Sequence, residues 1–582
     1  MNSETRNCQN CKNDFTIEPD DFSFYEKIKV PPPTFCPDCR LKRRLYHYNK
    51  RALYKRVCGL CKKETFSMYH DSEPITIYCN TCWWSDGWDP FSYARDYDFS
   101  KPFFEQMKEI LGQVPWMSLG VEQPSMVNSP YCNGAGRLKN AYLVFYADRV
   151  EDSSYCDTSA DVKNCFDCYM IYESEHCYEC VNVKKCYRAF YSIDCEDSFD
   201  IYFSKNLVGC SNCFKCTNLR NKQNCIENVQ YTKEEYIKKI IELTDFSSKD
   251  VDIILKEIYE ASIKYPQKYI HGKQNIEVTG DYVNHSKNSK MIYQSNGVED
   301  SKYCFLTYLP TTKDCYDYSF YGENSIEVYE TVKSGTNLNH VLFSNGCFPE
   351  GRSLEYCHYS VGCHDIFGCI GLRNKEYCIF NKQYTKEEYF KLREKIIKHM
   401  NDMPYINERG IEYKYGEFFP IEFSPFAYNE SIIQEVFPLS KEEALDLGYR
   451  WRERDERNYK ITMKNNEIPK NINEATDSIL DQIIECGHFS DTCTSAFKIT
   501  KTEFQFYKQM NLSLPRYCPN CRHESRLKKR NPMKLWHRSC MCKNPGHRHE
   551  GGVNCTNEFE TSYSPERPEI VYCEKCYQQE VY

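Results

Sequence analysis

The chain has 582 residues, 36 cysteines and a formal net charge of -8 at pH 7. This length is enough for several domains with cores of their own, and the net negative charge excludes binding to nucleic acid through the charge of the whole protein. The polar start and the lack of an 18-residue apolar run predict neither a secretory leader nor a membrane span. We therefore expect a cytoplasmic protein with reduced thiols.

Four CxxC pairs occur within the first 82 residues. At this spacing a tight turn places two thiolates on one tetrahedral ion, so two pairs complete a four-thiolate zinc site. Grouping in chain order predicts two sites. Their expected ligands are Cys8, Cys11, Cys36 and Cys39 in the first site, and Cys58, Cys61, Cys79 and Cys82 in the second.

The same pattern returns near the other end of the chain. The segments that begin at Cys11 and Cys493 align without gaps, and each has 24 residues before a CPxC pair. A 12-residue insertion separates the first two cysteines of the last site. The expected ligands are Cys486, Cys493, Cys518 and Cys521, then Cys540, Cys555, Cys573 and Cys576, with Cys542, His488, His547 and His549 as alternates. The chain should thus hold about four structural zinc ions.

The pattern CxxCxxxF, FxFY and PxxCPxCR resembles a family of bacterial zinc-binding domains, which are small treble-clef-like or ribbon modules of unassigned function. The resemblance covers about 35 residues at each end. The whole chain also resembles uncharacterised cysteine-rich proteins of candidate-phylum bacteria. The resemblance implies a zinc ribbon or treble clef at each end and no particular activity.

Cysteines between the two ends follow a different rule. They repeatedly lie nine residues apart, as in the series Cys156, Cys165, Cys168, Cys177, Cys186 and Cys195, among aromatic and β-branched residues. This periodicity predicts a parallel β-solenoid, with roughly 20 residues in each coil and the thiols stacked as small buried hydrophobic groups. A thiol-rich metal store and disulfides are the alternatives.

The solenoid is itself duplicated. Residues 209–236 match residues 362–389, and both segments end in YTKEEY. That motif predicts a helix with a capping box, formed by Thr232 and Glu235 in the first copy and by Thr385 and Glu388 in the second. We expect these helices to cover the open ends of the solenoid copies.

The predicted fold is therefore mainly β. A duplicated cysteine-ladder solenoid with helical caps and linkers is flanked by zinc modules. The expected domains are an N-terminal two-zinc module (1–95), a linker (96–126), a first solenoid copy (127–245), a helical linker (246–290), a second copy (291–400), a helical or irregular connector (401–480) and a C-terminal two-zinc module (481–582).

Runs of basic residues follow both CPxCR knuckles. Cations bind phosphates and neighbouring aromatic rings can stack on bases, so the runs predict nucleic-acid binding, with RNA favoured over DNA. A solvated helix and a surface for an acidic protein are the alternatives. The candidate residues are Arg40, Lys42, Arg43, Arg44, Lys50, Arg51, Lys55, Arg56, Arg522, Arg526, Lys528, Lys529, Arg530, Lys534, Trp536 and Arg538.

Recognised catalytic motifs are missing from the sequence, including phosphate-binding, dinucleotide-binding and HExxH patterns. A zinc ion with four thiolate ligands has no open coordination position, so these sites should be structural. The sequence thus favours a non-catalytic scaffold that binds RNA or a ribonucleoprotein through its two knuckles. A structural protein that binds other proteins through the solenoid is the main alternative, and an enzyme in a solenoid cleft is a lesser one.

Overall fold

The computed structural model describes residues 2–243, 251–453, 459–488, 492–549 and 554–582. It confirms the predicted fold class: the protein is mainly β, with a β-solenoid in the middle and cysteine clusters at both ends. None of the helices in the described ranges has the length and apolar character that a bilayer-spanning segment requires.

Each coil of the first solenoid contains 12 residues. Phe145 pairs with Asp157, Asp157 with Tyr169, and Tyr169 with Val181, always in parallel. From residue 137 to residue 227 every third residue has a positive φ, as at Asn164, where φ is 50°. Each left-handed residue turns the chain at a corner. A coil of 12 residues with a corner at every third residue therefore has four short sides. The expected coil of roughly 20 residues is wrong.

The coil geometry also explains why many solenoid cysteines lie nine residues apart. One residue in three points inward and is buried, so a step of 12 leads to the same column on the next coil, as from Cys156 to Cys168 and Cys180. A step of nine leads to an adjacent column, as from Cys156 to Cys165. The 36 cysteines all lie in the described ranges and form no disulfide there, and the solenoid thiols are buried in its core.

Asparagine and aspartate occupy many of the left-handed corners. These residues adopt the left-handed conformation more readily than most others. Their side chains also bond from coil to coil: the Asn182 amide donates to Asp194 at 2.8 Å, and the Asn206 amide donates to Asn218 at 2.7 Å. The corner residues therefore stabilise the stack along its axis.

The strands of each solenoid copy pair from coil to coil, so that a strand can skip its neighbour in the sequence, as Val181–Lys184 does when it pairs with Ile193–Glu196. Those of the first are Met126–Val127, Asn133–Lys139, Phe145–Glu151, Asp157–Lys163, Tyr169–Glu175, Val181–Lys184, Tyr187–Phe190, Ile193–Glu196, Phe199–Tyr202, Ser211–Phe214, Gln223–Ile226 and Val229–Gln230. Those of the second are Gly272–Lys273, Ile276–Asn284, Lys287–Asn296, Val298–Glu299, Thr312–Lys313, Tyr316–Gly322, Ser325–Gly335, Leu338–Leu342, Gly351–Glu355, Cys363–Phe367, Glu376–Ile379 and Lys382–Gln383. In each copy the last short strand folds back antiparallel to the strand before it.

A helix follows the last strand of each copy, at Lys233–Leu243 and Lys386–Asp402. The predicted capping boxes are present. The Glu388 amide donates to Thr385 Oγ1 at 3.3 Å while the Thr385 amide donates to the Glu388 carboxylate at 3.0 Å, and Thr232 and Glu235 repeat both bonds.

The two end modules share their order of elements. The N-terminal one has strands Glu4–Asn7, Asp14–Ile17, Tyr54–Val57, Glu64–Ser67 and Ile77–Tyr78 and helices Pro19–Lys27, Pro37–Tyr46 and Asn80–Trp84. The C-terminal one has strands Ile484–Glu485, Ala496–Phe497, Trp536–Ser539, Glu558–Thr561 and Val571–Tyr572 and helices Lys501–Met510, Pro519–Leu527 and Glu574–Val581. We call Pro37–Tyr46 and Pro519–Leu527 the knuckle helices.

Connecting segments contain further helices and short strands. They are the helices Phe103–Gln113, Val251–Ser262, Ile433–Val436 and Lys441–Asp446, and the strands Trp116–Met117, Gln267–Lys268, Tyr405–Ile406 and Glu412–Tyr413. Residues 246–250 of the expected helical linker lie outside the described residues.

The two solenoid copies lie side by side. The rings of Tyr172 and Tyr308 stack at 4.2 Å, and the Tyr146 hydroxyl donates to the Leu306 carbonyl at 2.9 Å. Each knuckle helix packs on the opposite half of the molecule, because Pro37–Tyr46 contacts the second copy and Pro519–Leu527 contacts the first.

Candidate metal centres and their docking sites

Among the described residues of the two end modules, four separate groups of four cysteines have sulfur atoms within 4.8 Å of one another. They are Cys8, Cys11, Cys36 and Cys39; Cys58, Cys61, Cys79 and Cys82; Cys486, Cys493, Cys518 and Cys521; and Cys540, Cys555, Cys573 and Cys576. These are the sets that grouping in chain order predicts. The His488 side chain belongs to none of the four, although its backbone amide donates to Cys486 Sγ at 3.4 Å.

The sulfur spacings fit a tetrahedral ion. Metal–sulfur bonds of about 2.3 Å place tetrahedral sulfurs about 3.8 Å apart. The Sγ atoms of Cys11 and Cys36 are separated by 3.7 Å, those of Cys486 and Cys521 by 3.8 Å, and those of Cys555 and Cys573 by 3.8 Å. These clusters can therefore hold metal ions.

Every cluster lies at the start of a helix. Cys36, Cys79, Cys518 and Cys573 each occupy the position before the first helical residue. Their backbone amides donate to a second ligand of the same cluster, as Cys518 does to Cys486 Sγ at 3.1 Å. A helix N-terminus stabilises negative charge, so it favours the thiolate form that binds a metal. A bond from the Cys486 thiol lowers the pKa of Cys518 to about 4.

The knuckle helices carry the basic runs, and their central cations are buried. The Arg44 guanidinium is 2.9 Å from the Asp317 carboxylate and 3.1 Å from that of Glu330. Arg40 contacts Asp317 at 2.8 Å, and Arg43 contacts Glu330 at 2.7 Å. All five side chains are at most 2 % exposed. We call this group the N-terminal arginine cluster.

The other knuckle helix repeats the arrangement on the first solenoid copy. Arg522 and Arg526 contact Asp167 at 2.9 and 3.0 Å, and Arg526 contacts Glu179 at 2.9 Å. Arg522 also contacts Glu503 at 3.0 Å. In this C-terminal arginine cluster Arg522 takes the place of Arg40 and Arg526 that of Arg44, whereas Ser525 stands at the position of Arg43.

Aromatic contacts surround both clusters in matching positions. Phe24 stacks on Tyr316 at 3.9 Å, and Phe506 stacks on Phe166 at 4.3 Å. Arg40 lies over the Tyr303 ring at 5.2 Å, as Arg522 lies over that of Tyr155 at 4.6 Å. The repeated contacts make each module and its solenoid partner one packed unit.

A central polar cluster joins both modules. The Lys50 ammonium is 2.8 Å from Asp157 in the first solenoid copy and 3.2 Å from Glu435 in the connector. The same Glu435 is 3.3 Å from His523 of the C-terminal knuckle helix. Burial lowers the pKa of His523 to about 4, so this imidazole is neutral near pH 7.

The candidate nucleic-acid residues therefore divide by exposure. The buried ones are Arg40, Arg43, Arg44, Lys50, Arg522 and Arg526. The partly exposed ones are Lys42, Arg51, Arg56, Lys529, Arg530, Trp536 and Arg538, and the exposed ones are Lys55, Lys528 and Lys534. Buried guanidinium groups that contact carboxylates do not present a surface to phosphate. Sequence reasoning missed these ion pairs because the partners are distant in the chain. The available signal for the ion pairs was the recurrence of an aspartate, Asp167 and Asp317, at equivalent places of the two solenoid copies.

The outer face of the first solenoid copy bears an open groove of about 730 Å³. Tyr187 and Phe199, paired on neighbouring coils, are 47 % and 49 % exposed there. Five acidic and three basic side chains line the same groove: Glu151, Asp161, Glu173, Glu175 and Asp197, with Arg149, Lys163 and Lys185.

Neither a scan of protein-family models nor a search of curated proteins finds a match to this chain. The resemblance of its ends to bacterial zinc-binding domains therefore stays a prediction, which the four cysteine clusters support.

Proposed function

We propose that this protein is a non-catalytic zinc-binding scaffold that binds a protein segment through its first solenoid copy. Tetrahedral thiolate sets are typical of zinc, and a site with four protein ligands is structural. The buried arginine clusters support a scaffold, because each fastens a metal module to the solenoid and uses its cations inside the molecule.

Elemental analysis tests the metal. The proposal expects at least four equivalents of zinc per chain in protein purified without added metal. Iron in place of zinc, or fewer than four equivalents, would refute this part of the proposal.

The observation that carries the binding proposal is the groove with Tyr187 and Phe199. Large apolar side chains that stay exposed side by side are typical of interaction sites. The excess of acidic side chains around them favours a basic segment, since complementary charge speeds association and suppresses wrong partners. An extended strand suits the shallow shape of the groove.

A selection from a random 12-residue peptide library on the immobilised protein tests this site. We expect enriched peptides that combine Lys or Arg with apolar residues, and at least tenfold weaker binding to a Tyr187→Ala and Phe199→Ala double variant. The matched control is Phe390→Ala, which removes an aromatic side chain that is 40 % exposed on the helix Lys386–Asp402 and does not line the groove. Peptides that bind wild type and double variant equally would overturn the proposal.

Nucleic-acid binding is the second candidate function. The cations Lys528 and Lys534 are exposed, and the Lys534 ammonium lies 5.1 Å from the centre of the Trp536 ring. An exposed cation beside an aromatic ring can contact phosphate and base together. This candidate function therefore depends on Lys528 and Lys534, the exposed cations of the basic run in the C-terminal module.

Fluorescence anisotropy with a 20-nucleotide single-stranded RNA tests the second candidate. RNA binding through these residues should weaken as salt is raised, and Lys528→Glu with Lys534→Glu should weaken it at least tenfold. The matched charge reversal is Lys63→Glu, at an exposed position of the other module, and it should leave RNA binding nearly unchanged. Binding that is unchanged by salt and by the double variant would exclude this site.

A further inference from the structure

A second group of metal-ligating atoms adjoins the last cysteine cluster. Ligand atoms of Cys542, His547, His549 and Cys576 lie within 4.8 Å of one another. Cys576 also belongs to the set with Cys540, Cys555 and Cys573. Two four-ligand groups therefore meet at one thiolate.

Hydrogen-bond geometry orients His547 for metal binding. Its Nδ1 atom is 3.2 Å from Cys542 Sγ, on the side of the group. Its Nε2 atom is 3.4 Å from the Glu580 carboxylate and 3.2 Å from the Asn544 amide. A carboxylate behind the far nitrogen of an imidazole is the usual support of a metal-binding histidine, since it fixes the ring and its tautomer. The side chain of His547 is only 7 % exposed.

The corresponding site of the N-terminal module lacks these residues. There Cys58 and Cys61 are separated by two residues, whereas Cys540 and Cys555 are separated by 14. The insertion contributes Asn544, His547 and His549. The two ends thus differ where the extra ligands occur, although their cysteine sets match.

We propose that the C-terminal module binds two metal ions, one in each group, with the Cys576 thiolate as a shared ligand. The proposal rests on the zinc assignment made above and raises the count from four ions to five. Two thiolates and two imidazoles make a complete tetrahedral set for zinc. A thiolate sulfur has lone pairs for two ions, and a second cation reduces the negative charge that five clustered thiolates would otherwise carry.

Metal analysis of the full chain tests the second ion. Wild type should hold five equivalents of zinc and a His547→Ala and His549→Ala double variant should hold four. The matched control is His537→Ala, which removes an exposed histidine that bonds Glu558 and Glu560 in the same module. Four equivalents in both wild type and the double variant would overturn the second ion and leave the four-zinc scaffold standing. Fewer than four in wild type would refute the scaffold itself.

Cadmium-113 NMR of the cadmium-loaded wild type tests the shared thiolate without any substitution. Two cadmium resonances coupled to each other through one sulfur are expected from Cys576. Five resonances with no such coupling would show two independent ions and overturn the bridge. A double variant that fails to fold would not affect this measurement.

Discussion

Arg44 and Asp317 form a buried ion pair at 2.9 Å although 273 residues separate them in the chain. Arg526 and Asp167 form the equivalent pair at 3.0 Å at the other end. Because both members are almost completely buried, their interaction is screened little by water, and each charge depends on the other. The stability of the two end modules should therefore depend on carboxylates in the solenoid.

Neutralising Asp317 should destabilise the protein strongly. Asp317→Asn leaves Arg40 and Arg44 with a neutral partner in a buried setting, and the loss of one member of such a pair costs about 3–5 kcal/mol. Urea unfolding followed by tryptophan fluorescence measures the change. Asp167→Asn should have a similar effect through Arg522 and Arg526. Glu151→Gln, which breaks the exposed pair with Lys139, should change the unfolding free energy by less than about 1 kcal/mol.

Removing one ligand should release one metal ion and loosen one module. Cys39→Ser should lower the zinc content by one equivalent and expose the N-terminal knuckle to protease, because four-ligand sites contribute directly to folding. Cys195→Ser changes a buried thiol of the solenoid core and should lower the unfolding temperature while leaving the zinc content unchanged. A loss of metal from Cys195→Ser would instead favour the thiol-rich metal store.

Lys333 should make the stability depend on pH. Its ammonium nitrogen bonds the Tyr359 hydroxyl at 2.7 Å, and among the described residues no carboxylate lies within ion-pair distance. Burial lowers the pKa of Lys333 from 10.5 to about 7. Between these values the unfolded chain binds one more proton than the folded one, so the free energy of unfolding should rise with pH by about 1.4 kcal/mol per unit.

A Lys333→Met variant should remove that slope and be more stable than wild type at pH 7. Denaturant unfolding at pH 7, 8 and 9 measures both effects. Lys302→Met is the matched control, because Lys302 is buried next to Asp20 and Asp21 at 2.8 and 2.6 Å, and its loss should destabilise the protein. An unchanged slope in Lys333→Met would show that another group causes the pH dependence.

A β-branched residue at a left-handed corner of the solenoid should destabilise the protein. Asn164 has a φ of 50°, and a left-handed conformation costs an ordinary residue about 1–2 kcal/mol. Asn164→Val should destabilise the solenoid by about that amount in urea unfolding, whereas Lys163→Val at the neighbouring strand position should be nearly neutral. Equal effects of the two substitutions would argue against corner strain.

Local spacing made the cysteine clusters predictable. A CxxC pair such as Cys36 and Cys39 brings its two sulfurs together within one turn, so chain order was enough to group the ligands. The coil length was not predictable in the same way, since a spacing of nine fits a 12-residue coil only when inward positions recur every third residue. The cysteines at 156 and 165 lie in different columns, which their spacing alone does not reveal.

The composition of the basic runs alone did not reveal that they are buried. A run such as that from Arg40 to Arg44 has the same composition whether it lies on a surface or against carboxylates. The deciding partners, Asp317 and Glu330, belong to another part of the chain, and only the fold brings them to 2.7–3.1 Å from the arginines. The repeated aspartates at 167 and 317 show that both copies maintain such a partner.

Each knuckle helix packs on the solenoid copy in the opposite half of the molecule, and this arrangement determines which of the interacting segments is synthesised first. Arg44 leaves the ribosome 286 residues before Glu330, one of its two carboxylate partners. At a translation rate of about 5–20 residues per second, this interval lasts roughly 15–60 s. The C-terminal arginines, in contrast, emerge when Asp167 and Glu179 have already been made. The N-terminal knuckle is thus synthesised well before its carboxylate partners, the last of which is Glu417, 2.9 Å from Arg43 in the folded protein.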